Sequence, residues 1–114
     1  MALHLSKLVG FEWDMGNVDK NRTKHGVEDR ECEEIFSNKP LIIFEDKSHS
    51  QQEERWGALG RTNNGRRLAI YFTIRNNKIR VISARDQSQK DRAVYMSMSN
   101  GNQKQEKRGD KTKI

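Results

Sequence analysis

Cysteine is all but missing from this 114-residue chain: Cys32 stands alone. No internal disulfide can form, which suits a reducing compartment. Proline also occurs once, at Pro40. Hydrophobic residues make up 32% and aromatics 7%, so a single domain with a small core is expected. No apolar run approaches the roughly 20 residues that span a bilayer. The stretch from Met1 to Gly10 lacks the basic-then-apolar order of an export signal. The chain is therefore read as cytoplasmic, with no membrane partner. His4, His25 and His49 lie far apart, and none has a second ligand at metal spacing. No phosphate-cradling glycine motif or dinucleotide fingerprint occurs. Neither a metal nor a cofactor is expected.

Charge is abundant. Twenty-two Lys and Arg against sixteen Asp and Glu leave a net +6, a balance that favours polyanions or an acidic protein partner. Lys104, Lys107, Arg108, Lys111 and Lys113 stand against Glu106 and Asp110 in the C-terminal stretch. The tail thus supplies only half of the excess. Residues 99–114 have almost no apolar side chain and are read as a disordered basic tail behind a domain of residues 1–98.

The body divides into a helical front and a stranded middle. Val9, Phe11 and Trp13 alternate with polar or small residues, which predicts a short strand. Asp14 suits the cap of a helix over 15–25, with a thin stripe of Met15 and Val18, and Gly26 suits its left-handed end. A second helix is expected over 28–36, with Cys32, Ile35 and Phe36 buried. Strands follow over 41–45, 54–61, 68–75 and 78–85. Asn64-Gly65 and Asn76-Asn77 read as two-residue hairpin turns, because Asn and Gly tolerate positive φ. A last helix over 88–98 starts at Ser88 with Asp91 three residues on. Ala93, Val94 and Tyr95 are expected to face the sheet.

Those turns set a register. Side chains opposite each other share a face, so Gly57, Leu59, Leu68, Ile70, Phe72, Ile74, Ile79 and Val81 form an apolar face under the helices. The other face reads in rows: Glu54 with Arg75 and Lys78, Trp56 with Thr73 and Arg80, Ala58 with Tyr71 and Ile82, Gly60 with Ala69 and Ala84. Arg and Lys bind phosphates, and Trp and Tyr offer stacking surfaces to unpaired bases. Trp56, Tyr71, Thr73, Lys78 and Arg80 are the expected nucleic-acid contacts. The alternative is an ordinary structural face, with Glu54 and Arg75 as a surface ion pair.

RNA cleavage without metal needs few parts. A base takes the 2′-hydroxyl proton, cations stabilise the charged phosphorane, and an acid protonates the leaving 5′-oxygen. Arginine stays charged, so Arg61, Arg75, Arg80 and Arg85 are candidate stabilisers, with Arg80 central. His25, His49, Glu54, Tyr71 or a shifted lysine is left as base or acid.

The residues also carry a resemblance. Phe11-Glu12-Trp13-Asp14, Asn21, Lys24-His25-Gly26-Val27, His49-Ser50 and Glu53-Glu54-Arg55-Trp56 come in that order. Gly60-Arg61-Thr62, Gly65-Arg66, Thr73-Ile74-Arg75, Ile79 through Arg85, Arg92 and Tyr95 follow. In order and spacing these resemble the BrnT toxins of type II toxin–antitoxin systems. Met15 and Asn17 stand where many relatives have proline and lysine. Arg22 stands where an apolar residue is usual, and Asp29 where an aromatic is. The resemblance implies an α+β fold like that of the RelE ribonuclease toxins, with helices packed on one face of a mostly antiparallel sheet. It implies a metal-independent endoribonuclease that inhibits translation and growth. It also implies a cognate BrnA-like antitoxin, which together with the toxin reaches operator DNA. Two other readings remain: a non-catalytic nucleic-acid-binding module, and an antitoxin-binding protein that has lost its RNase activity.

Overall fold

The computed structural model describes residues 8–14, 25–47 and 53–107, with side chains as far as Met98. The expected helix over 15–25, apart from its last residue, and the candidate base His49 fall outside the described residues, as do His4 and residues 108–114. Five strands form one sheet: β1 (Gly10–Phe11), β2 (Ile42–Glu45), β3 (Trp56–Arg61), β4 (Arg67–Arg75) and β5 (Lys78–Asp86), in the order β1-β5-β4-β3-β2. β1 runs parallel to β5, and every other pairing is antiparallel. Two helices are described, α1 (Asp29–Ser37) and α2 (Gln89–Lys107). The protein is α+β, with a mixed, mostly antiparallel sheet.

α1 forms where a capping signal meets an apolar stripe. The Glu31 carboxylate accepts a hydrogen bond from the Glu28 N–H at 3.0 Å, and Cys32 and Ile35 point inward, fully buried. Burial, with the carboxylates of Glu31, Asp29 and Glu33 nearby, pushes the Cys32 thiol up to about 12, so it stays protonated and inert. Gly60 lets α1 approach β3, since a Cβ there would meet Ile35 Cβ at 2.9 Å. Cys32 and Ile35 share one core cluster with Trp56, Ala58, Leu68, Ile70, Phe72, Val81 and Ala84.

Two corrections to the register follow. The β3–β4 hairpin pairs Arg61 with Arg67 and Trp56 with Phe72. Thr62 N–H bonds to the Arg66 carbonyl and Gly65 N–H to the Thr62 carbonyl, and Gly65 has φ +85°. The loop is therefore Asn63-Asn64-Gly65, three residues with glycine in the left-handed position, and not the two-residue turn. The Asn76-Asn77 turn is as expected, with φ 53° and 62°, but Tyr71 pairs with Ser83 while Phe72 pairs with Val81. Ile82 is the extra residue of a bulge. One shift turns β3 over, and the other turns over the far half of β5.

The helices do not share a face, which is the third correction. Tyr95 of α2 packs with Ile42, Leu59, Ala69 and Tyr71, the side opposite α1. Its hydroxyl donates to the Pro40 carbonyl at 2.7 Å. Ala93 and Val94 are exposed instead of facing the sheet, because helical spacing admits only one residue of that trio. Ser88 and Asp91 cap the helix as expected, with Ser88 N to Asp91 Oδ2 at 3.0 Å and Asp91 N to Ser88 Oγ at 3.1 Å. The helix continues to Lys107, into the stretch expected to be tail. Gln, Lys and Glu there are good helix formers.

Candidate nucleic-acid interface

The face opposite α1 is the candidate site. Across β2, β3, β4 and β5 it carries Arg61 beside Arg67, then Ile42, Leu59, Ala69 and Arg85, then Phe44, Gly57, Tyr71 and Ser83. Beyond the bulge come Thr73 with Arg80, and Arg75 with Lys78. Tyr95 covers the Ile42, Leu59 and Ala69 row. The aromatic row beyond it is more open: Tyr71 is half-buried, and Phe44 keeps 37% of its surface.

Three arginines gather at one end. The Arg61 Nε donates to the Lys39 carbonyl at 2.9 Å. Arg67 Nη1 rests 4.0 Å from the Met96 sulfur. Among the described residues, no carboxylate pairs with either. Arg85 lies over the Tyr71 ring, 5.8 Å from its centroid, and is held by Asp91 Oδ2 at 2.8 Å. That ion pair raises the Arg85 pKa above its usual value. Despite the cost of burial, hydrogen bonds from Ser88 and Arg85 keep the Asp91 carboxyl below its own.

At the opposite end two arginines are ion-paired, as Arg85 is. Arg80 donates to Asp14 Oδ2 at 2.8 Å, with 19% of its side chain exposed. Arg75 forks onto Glu53, Nε to Oε2 at 3.0 Å and Nη2 to Oε1 at 2.9 Å. The expected partner was Glu54. That residue instead lends its backbone carbonyl to the Thr73 hydroxyl at 2.7 Å. Lys78 is exposed at the strand end.

Two expected RNA contacts are not available. Trp56 is 8% exposed and stacks on Phe72 beneath α1, because the three-residue loop turned β3 over. Thr73 is 2% exposed with its hydroxyl already bonded. His25 is exposed and sits apart, at the Arg66 edge, where its carbonyl accepts from Arg66 Nη2 at 3.3 Å.

Three residues were not singled out as site or anchor. Arg67 shares the face of Ala69 and Tyr71 on β4, where the loop shift sets Arg61 beside it, and Phe44 arrives through β2 pairing. Arg66 joins the layers. It donates to Asp86 Oδ1 at 2.7 Å, to Glu31 Oε1 at 3.0 Å and to the Gly26 carbonyl at 3.0 Å. Gly26 has φ +64°, the left-handed conformation expected of it. The Gly65-Arg66 pair was the available signal for Arg66. Among the described residues no three His, Cys, Asp or Glu side chains converge as metal ligands.

Residues 13–91 match the family described as the ribonuclease toxin BrnT of type II toxin–antitoxin systems. The chain belongs to the BrnT family. The match spans more than half of the sequence and takes in α1, all four long strands and the start of α2. Membership implies an RNA target and an antitoxin partner. No curated protein matches the chain. Among the described residues no helix is long and apolar enough to cross a membrane. In BrnT terms, the arginine-bearing strands and the Arg66 anchor both lie within the matched region.

Proposed function

We propose that this BrnT-family chain is a metal-independent endoribonuclease that binds RNA across the Arg61, Arg67, Tyr71 and Arg85 face. The observation that carries the reading is that Arg61, Arg67 and Arg85 come out on one sheet face, with Arg85 over the half-buried Tyr71 ring. In the proposed step the 2′-hydroxyl loses its proton, and its oxygen attacks the adjacent phosphorus. The P–O5′ bond then breaks, leaving a 2′,3′-cyclic phosphate and a 5′-hydroxyl. Arginines that stay protonated stabilise the dianionic phosphorane with paired N–H donors. Tyr71, beside Arg85, is the proposed acid that protonates the leaving 5′-oxygen and is reprotonated by solvent, to which the 2′-hydroxyl proton passes. Arg80, Arg75 and Lys78 hold the strand further along, and Glu54 and His25 lie away from the arginine cluster. The fold reading that goes with this is RelE-like. The biological reading is a cytoplasmic toxin that inhibits translation and growth, is blocked by a BrnA-like antitoxin, and reaches operator DNA through that complex.

The test is cleavage of one labelled RNA in excess chelator by wild type, Arg85→Ala and Tyr71→Phe at equal folded concentration, with analysis of the product ends. Cyclic-phosphate ends, full activity in chelator and at least a tenfold loss in both variants are expected. Activity that vanishes in chelator and returns with a divalent cation overturns metal independence. Full activity in both variants overturns the placement of the site.

A further inference from the structure

Phe44 is an unusual residue to leave open. It stands on β2 opposite Gly57 of β3, and its ring lies over that glycine: a Cβ on Gly57 would meet the ring carbons at 2.2, 2.5 and 2.9 Å. Any other residue at position 57 would push the ring away, so the glycine seats it against the sheet. The ring meets Tyr71 edge-on, with centroids 6.2 Å apart and planes at 80°. Tyr71 in turn carries Arg85 over its own ring at 5.8 Å. Phe44, Tyr71 and Arg85 thus form one continuous run over three strands. Among the described side chains of α2, Tyr95 packs on the Ile42, Leu59 and Ala69 row and on Tyr71, and Phe44 remains 37% exposed.

We infer that the Phe44 ring is a stacking platform for an unpaired RNA base, set beside the Arg85 cation that would hold the adjoining phosphate. This rests on the reading of the face as an RNA surface and adds the substrate class, single-stranded RNA. An open aromatic face gains by stacking only on a base whose own face is free, and bases inside a duplex are already stacked. Charge complementarity favours a polyanion over an apolar protein segment here. Arg85 borders the aromatic row, and Arg61 and Arg67 stand beyond it without carboxylate partners among the described residues.

The experiment is equilibrium binding of a fluorescent 2′-O-methyl oligonucleotide, which cannot be cleaved through its 2′-oxygen, single-stranded and as the duplex. The proteins are wild type, Phe44→Leu and Phe44→Trp, with melting curves to confirm folding. Phe44→Leu should weaken single-strand binding about tenfold, the scale of one lost stacked base, and leave duplex binding unchanged. Phe44→Trp should restore single-strand affinity, and its indole fluorescence should change on binding. Equal single-strand affinity for wild type and Phe44→Leu overturns the inference. So does a loss that is the same for duplex, or a loss of antitoxin binding alone, which would make the platform a protein contact. If Phe44→Leu fails to fold, Phe44→Trp decides: no fluorescence change at saturation overturns the platform. Because the oligonucleotide is inert to cleavage, a chain that shows this pattern yet cuts no RNA would lose the ribonuclease reading and keep the platform.

Discussion

Trp56 and Phe72 lie side by side across β3 and β4, their rings 6.1 Å apart and inclined by 25°. Phe36 closes the stack from α1, edge-on to Phe72 at 5.4 Å. Removing either central ring should leave a cavity that the sheet cannot close. Trp56→Ala and Phe72→Ala should each cost about 3–5 kcal/mol. Their double variant should lose less than the two together, because the rings share one contact. Urea midpoints measure this. A Trp56→Ala protein as stable as wild type, with impaired RNA binding, would return Trp56 to the surface.

Arg66 serves three partners in different directions: Asp86, Glu31 and the Gly26 carbonyl. Asp86 and Glu31 raise its pKa above the usual arginine value. Arg66→Lys places one ammonium where a fork reached three acceptors, so it should rescue little of the loss in Arg66→Ala. Both variants should fall by about 2 kcal/mol in denaturant unfolding, with cleavage per folded molecule unaltered. Full stability in Arg66→Lys would show that charge alone suffices.

Asp91 caps α2 and holds Arg85. Its carboxyl sits below its ordinary value of 3.8 when folded, so its contribution is complete above that pH. The contribution fades as the pH drops from there through the folded value. Asp91→Asn should cost about 1 kcal/mol at pH 7, and the gap to wild type should narrow in acid. Melting temperatures of both proteins across the acid range test the sign. A gap that widens in acid contradicts it.

Cleavage should rank the arginines by how near they lie to Tyr71 on the face. Arg85→Ala should lose at least about tenfold, with about a hundredfold the scale of one full oxyanion donor. Arg75→Ala should stay within about threefold, since Arg75 is exposed and tied to Glu53. Arg80→Ala, already holding Asp14, should fall between them. Rates on one RNA at saturating enzyme decide, and a larger loss at Arg75 than at Arg85 would invert the site.

Truncation after Met98 keeps the buried Tyr95 anchor and removes the polar part of α2. The melting temperature should stay within a few degrees of the full chain. A collapse of the transition would show that residues beyond Met98 pack.

Much of the fold was legible along the chain. Alternation placed four strands within two residues of their bounds, and the Ser88 and Asp91 cap placed the start of α2. The stripe of Cys32 and Ile35 placed α1. The family was legible too, in the order of its short segments. The cations of the face were partly legible: Arg61 and Arg85, both named as candidate stabilisers, lie on it beside Arg67.

What the sequence by itself determined, then, was local: element types, turn sites, helix caps and net charge, all set by neighbours a few residues apart. Which side chains share a face was decided only in the tertiary structure. The Asn63-Asn64-Gly65 loop holds one residue more than the turn that Asn64-Gly65 suggests, and Ile82 adds another in β5. Side chains alternate along a strand with a period of two, so each single-residue slip exchanges the two faces. Trp56 thereby went into the core beneath α1, Arg61 came out beside Arg67, and Arg85 came out toward Tyr71. The choice was made by packing: one register lays Trp56 on Phe72 against a helix that already brings Ile35 and Phe36, and no local signal in β3 encodes that helix.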